Sequence, residues 1–204
     1  MECLFRAFVC ALLAVVSVAA QPAGGDQLEK YVREGEKALA QNRYAEAEAA
    51  FEKLRQLAPG TAEVYGTLGL IYFQQAKYEQ AVSVLRQGLK LKPSLPRAAI
   101  LLAMSLSELG RFQDALPGLQ KAFKTTDAEL KRMTGLQLQR AYTGLGRDRD
   151  AVEIAIELNR LYPDDPEILY HTARLFGNYA FVTMRKLAEV APMSPWRYQA
   201  AGEV

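Results

Sequence analysis

The stretch Tyr65-Gly66-Thr67-Leu68-Gly69-Leu70-Ile71-Tyr72, followed by Ala81, Leu85 and Pro93, decides how the rest of the chain is read. The pattern recurs at intervals of 34 residues. The preceding unit supplies Gly35, Ala47, Phe51 and Pro59 where this one has Gly69, Ala81, Leu85 and Pro93. The following unit supplies Leu102, Ala103, Leu106, Ala115 and Leu119, and a fourth, displaced by two further residues, carries Leu138, Tyr142, Gly146, Ala151 and Pro163. Self-similarity of this length marks stacked helical hairpins, none of which buries its apolar face alone, so function is expected of a surface assembled across several units.

The pattern resembles the tetratricopeptide repeat family over about residues 28 to 194. The resemblance implies an all-α fold, a right-handed helical-hairpin solenoid of four to five repeats. These lie near 28–61, 62–95, 96–131 and 132–165, with an atypical one at 166–194 and an incomplete further repeat at 195–204. Within each unit, helix A and helix B meet through small residues that let the backbones approach and large ones that fill the space left. Gly35, Gly69 and Ala103 are the small residues of helix A, and Ala47, Ala81, Ala115 and Ala151 those of helix B. Tyr31, Tyr65, Leu68, Leu102, Tyr72 and Tyr142 are the large set on A, with Phe51, Leu54, Leu85, Leu119 and Leu158 on B. An aromatic stripe at helical spacing reads as core.

Punctuation is equally regular. Pro59-Gly60-Thr61, Pro93-Ser94 and Pro163-Asp164-Asp165-Pro166 end one hairpin and open the next, because proline cannot continue a helix and Thr, Ser or Asp can cap the following one. Thr125-Thr126-Asp127 does so without proline. Gln41-Asn42-Arg43, Gln75-Ala76-Lys77, Gly110-Arg111 and Gly146-Arg147 mark the A-to-B turns, two with a glycine able to take the left-handed conformation.

Beyond Pro166 the rhythm breaks. Leu169, Ala173 and Phe176 suit a fifth A helix and Ala180, Met184, Leu187 and Pro192 a B helix, yet about five residues of the turn between them are missing. Either Gly177-Asn178 makes an abrupt corner or residues 166 to 190 run on as one long helix; steps of three or four along one face favour the long helix. After Ser194-Pro195, Tyr198, Ala201 and Gly202 take the places of a sixth A helix. Its apolar face is expected to pair with another molecule, or Trp196 and Tyr198 to fold back on the preceding helix.

The N-terminus reads as an export signal. Arg6 precedes the apolar or small run Ala7 to Ala20, which ends in Val18-Ala19-Ala20 with small residues suited to cleavage after Ala20. The run is short for a span of roughly 20 apolar residues, with an uncleaved anchor from Leu4 the competing reading. Residues 21–26 have a linker's composition, with helix signals beginning at Gln27. Cys3 and Cys10 both fall within the signal, leaving the processed chain without a thiol or cysteine metal site. A periplasmic or secreted protein without a membrane span after cleavage is expected.

Catalysis finds little support. The chain has one histidine, His171, and no His/Asp/Glu set at metal-ligand spacing; its serines lack an elbow motif and its glycines do not form a phosphate loop. Twenty-five basic against 23 acidic residues, a net charge of +2, give no footprint for nucleic acid. Glu46, Glu48, Lys90, Lys92 and Arg147 to Asp150 read as solvated helix faces. The expectation is a non-catalytic scaffold, without cofactor or metal, that binds a protein or peptide in its concave groove. The alternative is a structural subunit, or a truncated part of a larger helical assembly completed by another chain.

By the register of the resemblance, the groove wall includes Val32, Glu36, Glu63, Leu70, Phe73, Arg97, Ile100, Met104, Glu108, Met133, Leu136, Arg140, Tyr170 and Arg174. The Asn and Lys set with which relatives grip a peptide carboxylate is lacking, and an apolar groove with a few charges suits an amphipathic or hydrophobic segment. Phe73, Ile100, Met104 and Arg140 are the expected contacts, with Tyr170 and Arg174 at the far end; Leu70, Ile100 and Met104 have burial between repeats as the competing reading.

Overall fold

The computed structural model describes residues 25–202, and all its regular elements there are helices. The export signal and most of the linker lie outside those residues. Ten helices follow in order: α1 Gly25–Ala40, α2 Tyr44–Leu57, α3 Ala62–Gln74, α4 Tyr78–Leu91, α5 Pro96–Glu108, α6 Phe112–Phe123, α7 Ala128–Gly144, α8 Asp148–Leu161, α9 Pro166–Val190 and α10 Pro195–Gly202. Helix α1 begins at Gly25, so the last two residues read as linker are helical. The chain divides into two compact units, one up to Gln137 and one from Leu138 onward.

In the first unit α1 packs on α2, α3 on α4 and α5 on α6, and each hairpin packs on the next. Close approach makes these pairs. A Cβ on Gly35 would stand 2.6 Å from the Phe51 ring, and one on Gly69 would collide with Leu85. Ala47, Ala81 and Ala115 are wholly buried, as are Leu85 and Leu119. Tyr65, Leu68 and Tyr72 join the same core, while Tyr31 and Leu102 are half-buried at its margin.

Four turns share one conformation. Asn42, Ala76, Gly110 and Gly146, each at the fifteenth place of its unit, adopt φ of 54°, 56°, 72° and 65°. The left-handed residue is thus set by position, and glycine is only the least costly occupant. Helix starts are less uniform than the sequence implies. Asp165 caps α9 by accepting from the Glu167 and Ile168 amides, and Asp127 accepts from the Leu130 amide at 2.9 Å. Thr61 makes no such bond at α3, and α5 is preceded by Leu95 rather than capped by Ser94. At the former junction Tyr65 donates its hydroxyl to the Pro59 carbonyl at 2.9 Å.

In the second unit Leu138, Ala141, Tyr142, Ala151, Ala155, Leu158, Ile168 and Leu175 form the buried apolar set among the described residues. Residues 166 to 190 are one continuous helix, so Gly177-Asn178 makes no corner. Helix α10 does contact α9, but Trp196 and Tyr198 themselves are 69% and 57% exposed.

Gly66 and Gly69 separate packing from helix propensity. Nothing lies within 4 Å of a Cβ at Gly66. Gly66→Ala is expected to raise stability by about 0.5–1 kcal/mol. Gly69→Ala is expected to lower it by about 1–3 kcal/mol through overpacking against Leu85. Opposite shifts of the urea midpoint check this.

Candidate functional site

Helix A residues that point away from their own hairpin form the surfaces available for recognition. In the first unit Val32 and Glu36 on α1, Phe73 on α3, Arg97, Ile100 and Glu108 on α5, and Met133 and Leu136 on α7 are all half-buried. Helices α3 and α5 touch, which places Phe73 and Ile100 on neighbouring A helices. The Phe73 ring is held edge-on against Tyr78, centroids 5.5 Å apart, so this half-buried aromatic is fixed rather than loose. Half-buried apolar side chains anchored from beneath lose little rotamer freedom on contact.

Two expected wall residues belong to the interior. Met104 is 3% exposed and Leu70 1%, so both support the surface from below. Glu63 is engaged by Lys92 at 2.8 Å, which holds its carboxyl below the usual range. The first unit also binds its repeats together with polar contacts. Glu48 accepts from Gln75 at 2.7 Å and from Lys77 at 2.6 Å. Burial alone raises the Glu48 carboxyl, but these donors carry it below its ordinary value. Tyr72 donates to Glu52 at 2.7 Å, and burial with that carboxylate raises its phenol strongly. Gln137 accepts from the buried Ser107 hydroxyl and donates to Glu108, both at 2.7 Å.

In the second unit the structure brings Arg140, Tyr170 and Arg174 around His171. The Tyr170 ring lies edge-on to the imidazole, centroids 5.2 Å apart, and Arg174 stands over the Tyr170 ring at 5.7 Å. Burial, then the positive charge of Arg174, lowers the His171 pKa; Glu167 opposes and Arg140 adds to the lowering. Beneath this cluster Gln139 is 4% exposed and donates to the His171 carbonyl at 3.3 Å. Its Oε1 is buried without a hydrogen-bond partner among the described residues. Gln139 escaped the sequence reading, although a glutamine at the place held by Gly35, Gly69 and Ala103 in other units was the signal. Two guanidinium groups beside an exposed tyrosine suit a carboxylate-bearing segment.

Among the described residues no cluster of three or more His, Cys, Asp or Glu is arranged to hold a metal, and no helix is long and apolar enough to cross a membrane.

Comparisons with known proteins fit this geometry. The family model described as "Anaphase-promoting complex, cyclosome, subunit 3" matches residues 40–122. No curated protein sequence matches the chain. Among solved structures, residues 41 to the end of MamA from Desulfovibrio magneticus RS-1 superpose with a TM-score of 0.67 at 20% identity, covering 88% of this chain and 92% of that one. A structure of MamA AMB-1 gives 0.66 at 19% identity, covering 87% and 98%. YrrB, described as a TPR protein with an unusual peptide-binding site, gives 0.64 at 17% identity, covering 90% and 100%. At such identities the likeness defines the fold, and that fold is the tetratricopeptide repeat.

The lowered pKa of His171 sets a pH dependence. A group that resists protonation when folded contributes stability above its unfolded value of 6.5 and loses it as pH falls below that value. The melting temperature is expected to drop between pH 7.5 and 5.5, and His171→Gln is expected to flatten that drop. An unchanged pH profile in the variant contradicts the assignment.

Proposed function

We propose that this chain is a non-catalytic scaffold that binds a segment of another protein along its A helices, in the cell envelope after export. The half-buried apolar row Val32, Phe73, Ile100, Met133 and Leu136 is the observation that carries the reading. It offers contact area at fixed positions, interrupted by Glu36, Arg97 and Glu108, as suits an amphipathic segment. The second unit by itself offers Arg140 and Arg174 to an acidic side chain of a bound segment, with Tyr170 flanking it. The apolar run ahead of Ala20 supports export.

A photocrosslinking amino acid at Ile100 is expected to capture a partner from the native envelope fraction that one at the exposed B-helix residue Gln87 does not. Arg140→Glu with Arg174→Glu is expected to weaken binding of that partner at least tenfold, the effect of about 1.4 kcal/mol, with unchanged helical content. Melting of the variant instead would show that these arginines serve the fold. Sequencing of the mature N-terminus is expected to begin at Gln21.

A further inference from the structure

The long helix α9 carries an uncovered interface. In the first two units the small residue at the eighth place of helix A faces the large residue of helix B, as Gly35 faces Phe51 and Gly69 faces Leu85. The fifth unit keeps both halves of this pattern, Leu169, Ala173 and Phe176 for A and Ala180, Met184 and Leu187 for B. What it lacks are the five residues corresponding to Gly110–Asp114, which include the left-handed turn residue and the first residues of helix B. The two halves are therefore fused end to end. Ala173 and Met184 lie 11 residues apart on one rod, about 16 Å at 1.5 Å per residue, and cannot meet within one chain.

Their faces stay open as a result. At 100° per residue, Leu169, Ala173, Phe176, Gly177, Ala180, Met184 and Leu187 share one uncharged stripe along the helix. Ile168, Thr172 and Leu175, which face the α8 packing, lie on another side. On or beside the stripe Leu169 is 46% exposed, Tyr170 59%, Phe176 41% and Phe181 67%. An open apolar crevice of about 280 Å³ lies between α9 and α10, lined by Phe181, Met184, Leu187 and Ala188. From Gly25 to Gln137, by contrast, the exposed large apolar side chains among the described residues are Leu57 and Leu91.

We propose that two copies of this chain pair through α9 as a domain-swapped dimer, the A half of each copy packing on the B half of the other. The stripe continues the A–B interface already made inside the first three hairpins, and it is its own complement when reversed. An antiparallel pair with its twofold axis between Asn178 and Tyr179 sets Ala173 opposite Met184 and Phe176 opposite Phe181. Gly177 meets Ala180 at the crossing, where nothing lies within 4 Å of a Cβ at Gly177 and close approach is open. Each copy thereby completes the other's fifth hairpin without the missing turn, the exchange that a shortened hinge favours. Aromatic side chains of roughly 150–250 Å² at these exposures, with Leu169 and the half-exposed residues, bring the pair to on the order of 1,000 Å² buried, enough for a specific interface.

Sedimentation of the full chain at tens of micromolar is expected to show a dimer; a monomer overturns the proposal, including one that becomes larger only with a different protein added. A copy of Gly110–Asp114 inserted between Tyr179 and Ala180 restores the turn and is expected to give a folded monomer. A dimer that survives the insertion overturns the swap. With Cys3 and Cys10 changed to Ser, a mixture of A173C and M184C chains is expected to form a disulfide-linked dimer, whereas neither does alone. A cysteine pair needs Cα atoms within about 7 Å, so crosslinking of A173C with itself, or none in the mixture, excludes this register.

Discussion

Contact between a small residue on one helix and a large one on its partner is the constraint on which the rest depends. Gly35 against Phe51 and Gly69 against Leu85 bring the axes of each hairpin together, and wholly buried Ala47, Ala81 and Ala115 do the same from the other helix. Once the hairpin is that tight, the turn has little choice, and a residue with φ near +60° appears at the same place four times. At Ala76 the chain accepts a costly conformation for a residue with a Cβ, which shows that packing sets the turn rather than the reverse.

The same constraint explains where the second unit departs. Helices α8 and α9 still pack on each other, with Ile168, Thr172 and Leu175 the buried residues of α9, and Asn159 donates to Thr172 at 2.6 Å. Beyond Leu175 the rod continues with no helix of its own hairpin to close on, and apolar side chains stay in water. The recognition proposed for half-buried A-helix residues and the proposed closure of α9 by a second copy would be separate consequences of one architecture. The first uses the side of each hairpin left free, the second the inner side of a hairpin that never forms.

Much of this was legible in the chain itself. A period of 34 residues with Gly69, Ala81 and Pro93 in fixed register specifies the hairpins, because small residues and breakers act locally. Steps of three and four from Leu169 to Leu187 gave the long helix for the same reason. Burial at the wall was not legible. Met104 and Ile100 sit on the same helix with similar chemistry, yet the first is buried and the second half-buried, a difference that depends on how neighbouring repeats nest. Capping failed as a guide at Thr61 and Ser94, where Tyr65 and a shifted helix start satisfy the local geometry instead. The repeat register placed Arg140, Tyr170 and Arg174 on the wall, but their gathering about His171 over buried Gln139 depends on how adjacent A helices meet.

Amide hydrogen exchange along the native chain tests the central claim most directly, that hairpins close wherever the left-handed turn residue is present and fuse where it is missing. The account predicts fast exchange around Asn42, Ala76, Gly110 and Gly146 and slow exchange straight through Gly177, Asn178 and Tyr179. A fast-exchanging break at those three residues would contradict it, because the fifth hairpin would then close within its own chain.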